Sequence, residues 1–160
     1  MPSVCFYFQV HQPYRLRNVA PFSEAEGSDL FCDTANSGIL WKVARKCYLP
    51  TNNKILELIK RFDGRFKVSY SLSGVAIEQM KQFAPDVLDS FVKLADTGCV
   101  EFLAETYHSL AALRDRDEFA DQVKAHGELI SEYFGQSPRV FRNTELIYND
   151  QIGELVDDLG

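Results

Sequence analysis

Glu145 closes RVFRNTE, an apolar run that breaks into polar residues where a β-strand would end. Three other runs break in the same way. VCFYFQV leads into His11-Gln12-Pro13, FKVSYSL into Ser73-Gly74, and CVEFLAE, which carries Glu101 and Glu105, into Thr106-Tyr107-His108. Reacting groups in parallel α/β folds collect at the C-terminal ends of strands. A carboxylate at such a tip, faced by a second carboxylate, has the parts needed to cleave a glycosidic bond. One group attacks the sugar or activates water, and the other protonates the leaving oxygen.

Each of these residues also has a plainer reading. Glu145 is equally consistent with a first-turn acid of the helix that follows it, and Glu101 and Glu105 with acids at a strand edge. His11, placed before a proline, suits a strand terminator with a satisfied imidazole. His126 lies on the apolar stripe of a helix, seven residues after Phe119, and reads as a packed histidine rather than a ligand. His108 stays ambiguous. Trp41 suits either a core position or a platform for stacking a sugar.

The elements that must position these groups follow from periodicity. The first strand spans Val4 to Val10, almost continuously apolar, as strands of buried parallel sheets are. A long connection follows, with a basic and apolar stretch from Trp41 to Tyr48. Pro50-Thr51-Asn52-Asn53 predicts a helix start, and Ile55, Leu58, Ile59 and Phe62 supply the amphipathic stripe before Asp63-Gly64. The second strand covers Phe66 to Leu72. Helical sequence runs from about Ala76 to Asp96, with an interruption at Pro85. The third strand covers Cys99 to Glu105, the next helix Arg116 to Phe134, a fourth strand follows Pro138, and Asn149-Asp150 opens another helix.

Strand-then-helix units in succession predict a parallel sheet with crossover helices. Neither GxGxxG nor GxxxxGK[ST] is present, so a nucleotide-binding assignment lacks its motif. The fold class expected is α/β: the N-terminal half of a (β/α) barrel, incomplete within residues 1–160. Alternation along the strands sorts side chains into two sets. Tyr7, Gln9 and His11 face the lumen, and Val4, Phe6, Phe8 and Val10 face the helices. Glu101, Leu103 and Glu105 share a face, as do Phe141, Asn143 and Glu145.

At 160 residues with 46% hydrophobic and 12% aromatic content, the chain can bury a sizeable core. Its net charge of −6 and pI near 5.1 argue against a nucleic-acid partner. No run approaches the ~18 apolar residues of a membrane span. Val4 is not preceded by a basic segment of the secretory kind. Cys5, Cys32, Cys47 and Cys99 form no CxxC pair, which points to free thiols in a reducing, cytoplasmic compartment and away from zinc. No metal or cofactor is expected. Oligomeric state is not legible.

HQPYRLR (His11 to Arg17) resembles the first motif of glycoside hydrolase family 57, GCVEFLAETYHSL (Gly98 to Leu110) its second, and FRNTELIY (Phe141 to Tyr148) its third. VARKCYLPTNNKILELI is similar to the α-amylase-type members. The resemblance covers essentially the whole chain and implies a (β/α)7 barrel acting on α-glucans such as starch, glycogen or maltooligosaccharides, with retention of configuration. It maps the nucleophile to Glu145 and substrate-binding residues to His11 and Glu101, with Glu105 added by strand parity. The general acid, an Asp of a fourth motif, has no counterpart before Gly160, so the chain reads as the N-terminal portion of a catalytic domain. Two other readings stand beside this one. They are a non-catalytic glucan-binding or interaction protein on the same scaffold, and a metal-dependent carbohydrate deacetylase, which would want His ligands at helical spacing.

Overall fold

A computed structural model describes residues 4–18, 30–108, 115–143 and 148–160. Three parallel strands form its sheet: β1 (Tyr7–Val10), β2 (Val68–Leu72) and β3 (Val100–Phe102), in the order β1-β2-β3. Between β1 and β2 lie α1 (Asp33–Val43) and α2 (Leu49–Arg61); between β2 and β3 lie α3 (Gly74–Phe83) and α4 (Pro85–Ala95). After β3 come α5 (Arg116–Phe134) and α6 (Asp150–Asp158). The strands are shorter than the apolar runs that predict them, and the expected fourth strand is, among the described residues, a single parallel bridge between Ala104 and Phe141. The α/β class with parallel strands agrees with the sequence expectation.

The register explains why the sheet has two unlike faces. Phe8 pairs with Tyr70, and Tyr70 with Phe102, so aromatic rings stand in one row across all three strands. Phe8 and Tyr70 stack at 5.2 Å, Phe91 of α4 meets Tyr70 edge-on at 5.5 Å, and Phe134 of α5 lies parallel to Phe102 at 4.1 Å. Rows of this kind bury much apolar area per residue and lock the register, because a one-residue slip would turn every ring to the other face. Helix α4 sits at the centre of this side, touching α2, α3, α5 and β3.

Pro50 does not start a helix. The chain is helical from Asp33 to Arg61, with a π turn over Ala44–Tyr48 in which the Leu49 amide bonds the Ala44 carbonyl. Pro50 has no N–H to give in the α register, and a π turn immediately before it absorbs the missing bond. The consequence is local: it carries the buried Tyr48 side chain to the end of β1, where its hydroxyl accepts from Gln12 Nε2 at 3.0 Å.

Helix α5 begins and ends where the sequence predicts. Asp115 caps it by accepting from the amides of Asp117 and Glu118, and Gly135 ends it with φ 63°. Just beyond, the Gln136 side chain accepts from Phe102 N–H and donates to the Val100 carbonyl. It therefore satisfies the outer edge of β3 as a neighbouring strand would, and an edge left open is a template for mispairing. A smaller cluster of Phe119, Ile152 and Leu155 joins α5 to α6, with Phe141 against it.

Candidate active site

The lumen face of the sheet carries three rows. Tyr7 is level with Ser69 and Glu101, Gln9 with Ser71. At the C-terminal mouth, two residues beyond Gln9 and Ser71 and four beyond Glu101, are His11, Ser73 and Glu105. His11 Nδ1 and Ser73 Oγ share a hydrogen bond of 2.8 Å. Ser73 is the N-cap residue of α3, but its hydroxyl makes no cap bond; it serves the imidazole instead. The His11 imidazole is thus satisfied and held in place by Ser73, which agrees with the strand-terminator reading and also fixes the ring at the mouth.

The structure separates the two candidate glutamates of β3. Glu105 is wholly buried at the mouth. Glu101 is exposed beside Ser69, about 13 Å back at the ordinary strand rise. There it lines a polar depression with Lys67, Gln136 and Arg139. Of the two, only Glu105 shares the level of His11. Its charge is felt across the lumen at Tyr7, whose phenol pKa is raised chiefly by burial. The same phenol shares a 2.6 Å hydrogen bond with Ser71 Oγ, and the Arg142 guanidinium lies 5.4 Å from its ring centre.

His126 supports Glu105 from behind. It is fully buried, as its place on the α5 stripe predicts. Its Nε2 is 2.8 Å from the Leu72 carbonyl and must donate to it, which leaves Nδ1 as the acceptor for the Glu105 amide at 3.4 Å. The ring is therefore neutral. Burial holds its pKa below the usual histidine value, offset in part by the bond to Leu72. One imidazole thus ties the ends of β2 and β3 to α5, a role that a core assignment alone does not convey.

Glu145 lies outside the described residues. The chain reaches its neighbourhood through the bridge of Phe141 to Ala104, where the Arg142 amide donates to the Ala104 carbonyl at 2.8 Å. Phe141 packs on Phe119, on the helix side, while Arg142 reaches over Tyr7. The face that sequence parity groups as Phe141, Asn143 and Glu145 therefore begins away from the lumen. Alternation holds only while a ladder continues, and here the described ladder is one bridge.

The first-motif loop is pinned at several points. The Arg15 amide donates to buried Asn36 Oδ1, and Arg15 and Arg17 pair by backbone bonds with Cys32 and Leu30 around the Leu16–Phe31 bridge. This closes the base of the long connection after β1. Gln79 donates through Nε2 to the Gln12 carbonyl. Trp41 is half-buried with its indole N–H on the Phe83 carbonyl, which makes it a packing residue between α1 and α3. His108 is exposed next to Tyr107, its amide on Gln122 Oε1. Sequence alternation put Tyr7 in the lumen, but sequence reasoning missed Tyr48, Gln79 and the reach of Arg142 over Tyr7, since none of these falls in a pattern that marks it off from core or surface. No group of three or more His, Cys, Asp or Glu able to hold a metal occurs among the described residues. No helix described is long and apolar enough to cross a membrane.

Comparison with known proteins adds the missing context. A Methanocaldococcus jannaschii protein provisionally named an alpha-amylase is 46% identical over 160 residues, covering 98% of this chain and 34% of its own length. The chain thus spans about a third of that relative. The crystal structure of a 4-alpha-glucanotransferase from Thermococcus litoralis superposes with a TM-score of 0.72 at 17% identity, covering 98% of this chain and 21% of that one. The alpha-amylase AmyC from Thermotoga maritima gives a TM-score of 0.61 at 13% identity, covering 99% of this chain and 39% of that one. At such identities the two structures speak for the fold, and they support the barrel type expected from the sequence. The profile of Glycosyl hydrolase family 57 matches residues 5–160, and the chain belongs to that family.

Proposed function

We propose that residues 1–160 are the N-terminal portion of a catalytic barrel that acts on α-glucans with retention of configuration. The observation that carries this reading is the mouth of the sheet. A first-motif histidine is oriented there by Ser73, level with a buried carboxylate, in a chain of a glycosidase family. Glu145, the third-motif glutamate, is the nucleophile in this reading. Its carboxylate bonds to the anomeric carbon as the glycosidic C–O bond breaks, and a proton passes to the leaving oxygen from a general acid placed beyond residue 160. Water or a sugar hydroxyl then displaces Glu145, giving hydrolysis or glycosyl transfer respectively.

His11 lines the sugar subsite in this scheme. Glu105 is favoured over Glu101 as the charge nearest the reacting sugar, because it shares the His11 level; Glu101 retains its motif-based assignment as a substrate contact. Starch, glycogen or maltooligosaccharides are the substrates proposed, in the cytoplasm, without metal or cofactor. The test is product analysis of maltoheptaose incubated with the full gene product and with its Glu145→Gln variant. Shorter sugars alone mean a hydrolase, and longer with shorter sugars a glucanotransferase, with both lost in the variant. No turnover by the wild type refutes the catalytic reading and favours glucan binding alone.

A further inference from the structure

Helix α3 leaves the mouth of β2 and carries one acid, Glu78, whose two oxygens are taken by phenols from two different loops. Tyr107 OH donates to Oε1 at 2.6 Å and Tyr14 OH to Oε2 at a longer 3.4 Å. Tyr14 belongs to the loop that begins with His11, and Tyr107 to the loop that leaves Glu105. Both rings are held on their other sides. Tyr14 packs on Phe31 at 5.0 Å between ring centres, and Tyr107 lies over Gly74, where a Cβ would come within 2.6 Å of the ring.

A mid-helix glutamate three residues before a lysine ordinarily forms a surface pair with it. Here Lys81 is exposed and lies 5.5 Å from the Tyr133 ring centre instead, and among the described residues Glu78 has no ion-pair partner. The phenol pKa values register the acid's presence. Tyr14 is pushed up to about 12 and Tyr107 is raised further, in both by burial first and by Glu78 next. The adjacent residue, Gln79, holds the Gln12 carbonyl from the same helix turn.

We infer that Glu78 is a positioning residue that clasps the first-motif and second-motif loops together, and so sets the spacing between His11 and Glu105 across the mouth. The inference rests on the α-glucan reading for its catalytic consequence, but not for the clasp itself. The bond from Tyr107 is of the short, directional kind that a charged acceptor makes, and the longer one from Tyr14 brings a second backbone segment to the same carboxylate and helix. A misplacement of about 1 Å in a site of this kind costs on the order of 100-fold in rate.

The test uses Glu78→Met, which removes both acceptors at similar volume, and Glu78→Gln, which keeps one, in the full gene product. Glu78→Met is expected to lower kcat/KM on maltoheptaose by about 10–100-fold and Glu78→Gln by less. Tyr14→Phe and Tyr107→Phe should each lower it in the wild type but add little in the Glu78→Met background. Hydrogen exchange should quicken in both 11–17 and 104–108 in Glu78→Met. Wild-type kinetics in Glu78→Met, or tyrosine effects that persist at full size in that background, overturn the inference. If Glu78→Met fails to fold, the same cycles in Glu78→Gln decide. If the wild type turns over no α-glucan, the proposed function fails on its own account. Exchange then decides the clasp, and unchanged protection in both segments overturns it.

Discussion

Replacing Gly74 with alanine sets two effects of opposite sign against each other. Gly74 opens α3, its φ is not in the left-handed region, and alanine is the better helix residue by about 1 kcal/mol at most. The added Cβ would sit 2.6 Å from three carbons of the Tyr107 ring. Ordinary carbon contacts need about 3.5–4.0 Å, so the ring must retreat by roughly 1 Å. The 2.6 Å bond from Tyr107 to Glu78 would then stretch past the limit of a hydrogen bond. Overpacking costs about 1–3 kcal/mol, and the half-exposed hydrogen bond adds about 1 kcal/mol. The clash wins, for a net loss of about 1–3 kcal/mol, or roughly 2–4 °C of thermal midpoint per kcal/mol in a domain of ordinary size.

Gly127→Ala is the matched control. It lies inside α5 with nothing within 4 Å of its would-be Cβ, so it should gain about 0.5–1 kcal/mol. Scanning calorimetry of the full gene product reads both. In a Tyr107→Ala background, Gly74→Ala should become neutral or stabilising. A Gly74→Ala midpoint at or above the wild-type value, with Gly127→Ala behaving as stated, would refute the packing argument.

Three further outcomes follow from the same structure. His126 has a folded pKa below its unfolded value of about 6.5, so the unfolded chain binds the extra proton. Its contribution to stability is present in full above about pH 6.5 and falls with pH through the folded pKa, by at most about 1.4 kcal/mol per pH unit; His126→Gln should flatten that part of the midpoint-versus-pH curve, and an unchanged curve would contradict the neutral-ring assignment. Asn52 accepts from buried Tyr70 OH at 3.0 Å and donates to Ser90 at 2.8 Å. Asn52→Leu and Tyr70→Phe should each cost about 1–3 kcal/mol by stranding the other's polar atom, and the double variant less than their sum; additive urea midpoints would argue against the network. His11→Ala should weaken turnover of maltoheptaose while leaving the thermal transition in place, and loss of that transition would make His11 structural instead.

Much of this protein was legible as pattern. Periodicity located α5 closely, and the structure adds the local devices that end it, Asp115 and Gly135, which act through the nearest few amides. Alternation placed Tyr7 and Gln9 on one face of β1 and Phe8 and Val10 on the other, because side-chain direction along a strand has a period of two wherever the ladder runs. Beyond β3 the rule has, among the described residues, only the Phe141–Ala104 bridge to act on; Phe141 and Arg142 turn to opposite sides there as it requires, and Glu145 lies outside the described residues. Alternation could not rank Glu101 against Glu105. Both point to one face, and the height of each against His11 depends on register, which is settled by how the Phe8, Tyr70 and Phe102 rings stack across strands far apart in sequence.

The residues that sequence reading missed or set aside share one trait. Glu78, Gln79, Tyr48 and His126 each act on a motif from another element, 21 to 67 residues away. On its own helix each looks like an ordinary surface or core residue. Local chemistry in the chain therefore determines which segments become strands and helices, and where reactive groups emerge from them. Which of those groups meet, and what holds them at the mouth, is decided by tertiary packing, because hydrogen bonds between distant elements leave no periodic trace in the sequence.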